Sequence, residues 1–106
     1  MKLYHTTTRD RLSSIREQGL RVACADPAAK IRATWMHTAS QTRWAILHTM
    51  RKHGATLAEV VVVEVTVPRS RLTRFRTGIW YRRQDVPAAW LGQETPGMVY
   101  AANASE

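Results

Sequence analysis

Four consecutive β-branched residues, Val60–Val61–Val62–Val63, constrain what this chain can fold into more than any other feature. Such a run suits a strand covered on both faces, because it has no polar side to turn toward water. From Val63 the pattern alternates through Glu64, Val65, Thr66 and Val67, and Pro68, which has no N–H for a ladder, ends it. Glu59–Val67 is therefore expected to be a core strand with elements packed above and below. A chain of 106 residues has room for one sheet and two or three helices in a single domain, residues 1–106. With 44% hydrophobic residues it can build a core, though a modest one, since small domains bury a smaller share of their surface.

The remaining segments supply partners for that strand. Lys2–Leu3–Tyr4–His5 reads as a short first strand running into the polar turn Thr6–Thr7–Thr8. Thr7 and Asp10 have the spacing of a capping box, Leu12 and Ile15 share a helical face, and Gly19 stands where a helix of roughly three turns would be capped. Ala33–Thr38 is β-prone, and Ser40 offers an N-cap to a helix Gln41–His53 closed by Gly54, with Trp44, Ile46, Leu47 and Met50 as its apolar face. A basic connection leads to a short strand Gly78–Tyr81. Val86–Leu91 reads as a turn or 3₁₀ segment, and Met98–Ala101 as a last edge strand. The sum is an α+β fold: one β-sheet of five or six short strands with two helices.

Charge and cysteine usage narrow the function classes. Sixteen Lys and Arg oppose eight Asp and Glu, and all but three of the cations are Arg. Arg pairs bidentately with phosphate and stacks on bases, so a phosphate-bearing partner fits, although an Arg-rich composition alone gives the same balance. Cys24 is the only cysteine, which excludes an intrachain disulfide and points to a cytoplasmic setting. The N-terminal residues have no apolar run like that of a signal peptide, and no stretch approaches a membrane span. His37, His48 and His53 show no metal-ligand spacing with Cys24, Ser13–Ser14 lacks a nucleophile elbow, and there is no Gly-rich phosphate loop.

Several segments, in order, resemble the ADP-ribosyltransferase superfamily. Leu3–Tyr4–His5–Thr6–Thr7, followed by Leu12 to Gly19–Leu20, is similar to the strand-one signature and the short helix after it. Ala33–Thr38 leading to Ser40 and Trp44 resembles the family's strand–helix step with its two aromatic residues. Val60–Pro68 is like the core strand, and Gly78–Tyr81 with Val86–Pro87 like the later strand and turn. The branch with a strand-one His includes poly(ADP-ribose) polymerases, diphtheria-like toxins, DNA-modifying toxins and RNA 2′-phosphotransferases; the size here is that of minimal bacterial or phage members.

The resemblance implies a split, mostly antiparallel β-sheet with two helices, and NAD bound without a metal in a cleft between the two halves of the sheet. It assigns His5 to the nicotinamide-side ribose, Thr6 and Thr7 to hydroxyl contacts, and Trp35 and Trp44 to the nicotinamide ring. Loss of nicotinamide leaves an oxocarbenium-like sugar that a placed carboxylate would stabilise. The family's catalytic Glu begins the strand matched by Gly78–Tyr81, and none stands there. Thr77 takes that position and Gln84 follows the strand; with His5 they are the catalytic candidates. The function implied is an NAD-dependent ADP-ribosyltransferase-like protein acting on or binding a nucleic acid or a nucleic-acid-associated target. The alternatives are a non-catalytic nucleotide- or nucleic-acid-binding module and an RNA phosphotransferase-like enzyme. Taken singly, a strand-end histidine such as His5 is more often a hydrogen-bonded structural residue, and Trp35 and Trp44 read equally well as core aromatics.

Arg69, Arg71, Arg74, Arg76, Arg82 and Arg83 fall in one acid-free segment that also holds Trp80 and Tyr81. On extended chain Arg69/Arg71 and Arg74/Arg76 would each point to one side. Basic residues interleaved with aromatics are what single-strand nucleic-acid binders use, so the segment is expected to meet DNA or RNA; the alternative is a solvated, charged loop.

Overall fold

A computed structural model describes residues 1–104, with side chains described through Tyr100. In chain order the elements are β1 (Lys2–Thr8), α1 (Leu12–Gln18), β2 (Thr34–His37), α2 (Thr42–His53), β3 (Val60–Thr66), β4 (Thr73–Arg76), β5 (Ile79–Arg82), β6 (Leu91–Pro96) and α3 (Gly97–Ala104). The valine run forms β3, and Val60–Val63 and Val65 are each at most 1% exposed. β3 pairs on one side with all of β1, from Lys2↔Thr66 to Thr8↔Val60, and on the other with β6. The six strands form one sheet in the order β4-β5-β2-β1-β3-β6, with every pairing antiparallel. The α+β fold expected from the sequence is the fold observed.

The continuous apolar run is explained by cover on both faces. On one side Leu3, Met36, Val65 and Trp80 pack with Ile15 of α1, Leu20 and Val86. On the other, Val60 and Val62 pack with Ile46 and Met50 of α2, and Tyr4 and Tyr100 close that cluster.

The two halves of the sheet are barely joined. β1 and β3 are paired along their whole length, and β2 and β5 over four residues, but β1 meets β2 only at Tyr4↔His37. Beyond that pair the C-terminal half of β1 and the N-terminal half of β2 diverge.

Several local expectations are corrected. Thr6–Thr8 belongs to β1 rather than to a turn, and Thr7 caps nothing; it is the Thr8 hydroxyl that bonds Asp10. The expected three-turn helix is a 3₁₀ turn, Arg9–Arg11, running into the shorter α1. Ser40 lies in a 3₁₀ turn ahead of α2, and its hydroxyl pairs with that of Thr38 at 2.9 Å. α2 buries Thr42, Ala45, Ile46 and Thr49, whereas Trp44 and Leu47 are 43% and 52% exposed, so its large apolar residues do not form one buried face. Part of the basic connection is strand β4, paired to β5 and exposed throughout. Met98–Ala101 is helical, in α3, and the edge strand is β6 ahead of it. The sequence of β6, with Gly92, Gln93 and Glu94, has little strand preference; it is held extended by the edge of β3 that it covers.

The segment after α1 is fixed by a close backbone approach. Leu20 and Val86 exchange two hydrogen bonds, of 3.0 and 2.8 Å, and Gly19 has φ +77° immediately before them. A Cβ on Gly19 would fall 2.0 Å from the Val86 carbonyl oxygen. Gly19→Ala is therefore expected to destabilise the fold by about 2–3 kcal/mol, from combined strain and clash. Urea denaturation should register this as a lower midpoint with an unchanged slope, and an unaltered midpoint would refute the account.

Candidate functional site

Where β1 and β2 separate, the molecule has a cleft of about 650 Å³. One side is formed by α1 and the connection after it, through Ile15, Leu20, Cys24 and Asp26; the other by α2, through Trp44, His48 and Lys52. His5, Thr6, Trp35 and His37, from the diverging strands, line it between them.

The polar groups at the split are fixed by strand geometry. Beyond Tyr4↔His37 the β1–β2 ladder stops, and the Trp35 carbonyl accepts instead from the His5 imidazole, with Nδ1 2.8 Å away. Only an N–H can donate to that carbonyl, so Nδ1 carries the proton and Nε2 of the neutral ring is an acceptor. Nε2 bonds to none of the described residues, nor is it a buried atom lacking a partner, so it is open to the cleft. Burial, with help from Arg11 and Lys52, lowers the His5 pKa against the opposing effect of the Trp35 carbonyl.

His37 completes the network. Its Nδ1 donates to the Thr38 carbonyl at 2.9 Å, and its Nε2 accepts from the Thr6 hydroxyl at 2.7 Å. Burial pushes its pKa down to about 4, and the ring is neutral at physiological pH. Thr6 is thus fixed as a donor to His37, and only its lone pairs remain for a ligand.

Around this network the cleft is cationic. Arg11, Arg21 and Lys52 line it, against two acids that neighbours engage. Asp10 is bonded by Thr8, and Asp26 pairs with Lys52 at 3.4 Å and accepts from the Ala28 N–H. On α2, Trp44 stacks with His48 at 5.0 Å and an interplanar angle of 11°, while the Arg76 guanidinium lies 5.0 Å from the Trp44 ring centre.

Of the residues singled out in the sequence, His5, Thr6, Trp35 and Trp44 share this cleft. Thr7 is buried in β1 and does not line it. Thr77 lies in the β4–β5 turn and accepts from Arg74 at 3.0 Å, and Gln84 lies beyond β5 with its carbonyl 3.3 Å from the Thr34 hydroxyl; neither reaches the cleft. Glu94, on β6, pairs with Arg16 at 3.3 Å, also outside it. His37, Arg11 and Lys52 were not singled out. Alternation along β2 puts His37 on the same side as Trp35, a signal the sequence did hold.

The six arginines do not form one face. Arg69 lies over Trp80 and Arg82 over Trp90, on the α1 side of the sheet. Arg76 lies over Trp44 and Arg83 over Tyr81, on the α2 side. A register shift between Arg74 and Arg76 breaks the alternation that would have aligned them.

The chain matches no protein-family model, and no curated protein matches it in sequence. No described helix is long and apolar enough to cross a membrane.

His37 gives the site a pH signature. Its folded pKa, about 4, lies below the ordinary histidine value of 6.5, so the unfolded chain takes up a proton first as pH falls. Stability is complete above the unfolded value and is lost progressively between pH 6.5 and 4, with His5 acting in the same direction. Between pH 7 and 5 the His37 contribution is expected to be about 2 kcal/mol. Denaturation at the two pH values should show this loss, and His37→Gln should flatten it; equal slopes in both proteins would exclude a buried neutral His37.

Proposed function

We propose that this chain is an ADP-ribosyltransferase-like domain that takes NAD into the cleft at the β1–β2 split and addresses a nucleic acid or a nucleic-acid-associated target. The observation that carries this reading is the position of His5. It stands where the two halves of the sheet part, with one ring nitrogen fixed by the Trp35 carbonyl and the other open to the cleft. In the proposed complex His5 Nε2 accepts from a ribose hydroxyl, Thr6 offers lone pairs beside it, and Trp35 and Trp44 flank the nicotinamide ring. Arg11, Arg21 and Lys52 supply positive charge for the phosphates. The volume is in the range of small-molecule sites. Stacking on Trp44 requires that His48 or Arg76 leave one of its faces. A cytoplasmic setting fits the single exposed thiol, Cys24.

A second reading, a binding module without transferase chemistry, is favoured by the carboxylates. Nothing acidic stands at the start of β5, Thr77 and Gln84 lie off the cleft, and Asp10 and Asp26 are held by neighbours.

Millimolar NAD is expected to raise the melting temperature, because a ligand of the folded state alone stabilises it by mass action. Trp44→Ala should abolish the shift and leave a folded protein, since Trp44 is 43% exposed and little core is lost. Nicotinamide release, followed with added nucleic acid, separates the readings: a thermal shift without release identifies the binding module. No shift at all would overturn the NAD assignment.

A further inference from the structure

The β4–β5 hairpin carries exposed side chains that the proposed NAD contacts do not include. Phe75, the only phenylalanine, sits on the edge strand between Arg74 and Arg76 and is 53% exposed. It contacts Trp35 at 5.2 Å and 83°, and Trp35 in turn leans on Tyr81 at 5.0 Å and 42°. Three rings from three neighbouring strands therefore hold one another in place on the α2 side of the sheet. Arg83 lies over Tyr81, and Arg76, next to Phe75 on β4, lies over Trp44 of α2.

These arginines have no anionic partner among the described residues. The sequence holds no Asp or Glu between Glu64 and Asp85, and none of the three ion pairs among the described residues includes an arginine of this hairpin. Positive charge beside an exposed ring, with no compensating acid, complements a ligand that alternates phosphates with aromatic bases. The opposite side of the hairpin differs. There Arg69 covers Trp80, which is 7% exposed and belongs to the core, so its ring is not offered to a ligand.

We propose that the α2-facing side of the β4–β5 hairpin is a platform for single-stranded nucleic acid, with Phe75 and Tyr81 stacking bases and Arg76 and Arg83 holding phosphates. The proposal rests on the nucleic-acid target inferred above and specifies its form and its contact face. A duplex keeps its base faces stacked internally, so an exposed ring gains nothing from it, whereas unpaired bases present a π-face. Each strand of the hairpin is four residues long, which at about 3.3 Å per residue accommodates only a few nucleotides. Trp35 belongs both to this row and to the cleft lining, and Arg76 reaches from the hairpin to Trp44 at the cleft, so a strand lying on the hairpin leads to the cleft mouth.

Fluorescence anisotropy with a labelled single-stranded oligonucleotide of about twelve nucleotides, and with the duplex of the same sequence, tests the assignment. The single strand should bind more tightly than the duplex. Phe75→Ala should weaken it about fivefold to a hundredfold, and Phe75→Tyr should restore most of the loss. Joint replacement of Arg76 and Arg83 by Gln should lower the slope of log affinity against log salt by about 1.4, whereas replacing Arg69 and Arg82, which lie on the α1 side, should leave it unchanged. Equal affinity for the duplex, a slope governed by Arg69 and Arg82, or no binding at low salt would each overturn the platform. The NAD-induced melting shift, measured alongside, keeps the two claims apart. A failed platform with the shift intact leaves the NAD reading standing, and an absent shift in the unsubstituted protein overturns that reading whatever the oligonucleotide does.

Discussion

Everything at the site follows from the shortness of the contact between β1 and β2. A sheet normally satisfies each backbone group through its ladder, and where the ladder stops those groups need other partners or water. Here pairing ends after Tyr4↔His37, and the next residues on both strands turn to side chains. The His5 imidazole takes the Trp35 carbonyl, and the Thr6 hydroxyl takes His37 across the same gap. The split is thus bridged by two side-chain bonds in place of a continued ladder. The groups that keep the two halves together are also those that line the cleft, so any ligand there meets side chains already fixed by the fold.

The same residues set the electrostatics of the cleft. Burial keeps both histidines neutral, which leaves their ring nitrogens distinct: one committed as donor, the other as acceptor. Arg11 and Lys52, on the far sides of the cleft, act on His5 in the same sense as burial. An anion entering between them would weaken that influence and make the imidazole more basic. The cations and the histidine therefore respond to a ligand together.

What could be read from the sequence was what local pattern dictates. The valine run, β2, the C-terminal glycine of α2 and the 3₁₀ turn at Ala88–Trp90 follow from periodicity, β-branching and turn chemistry. β6 and α3 did not, because β6 is extended only through its pairing with β3, and Met98–Val99–Tyr100 is apolar enough to suit either state. Likewise, the order His5, Thr6, Trp35, Trp44 marked residues that share the cleft, while Thr77 and Gln84, placed by offset from β5 alone, fall outside it. The arginine segment shows the same limit. Alternation predicts a side for each residue only while the register holds, and one shift between Arg74 and Arg76 divides the charges between two faces.

β4 has a meaning for the molecule apart from any ligand. An open sheet has two rims of unpaired N–H and C=O groups, and an exposed rim is a template for another chain. At the β4 rim the strand is four residues long, every residue is exposed, and Arg74 and Arg76 flank its single large apolar side chain. Two copies brought rim to rim would set like charges against each other along the line of contact. The same guanidinium groups that leave the hairpin open to an anion keep it closed to its own kind, so the exposed Phe75 is tolerated because no acid among the described residues neutralises the charge beside it.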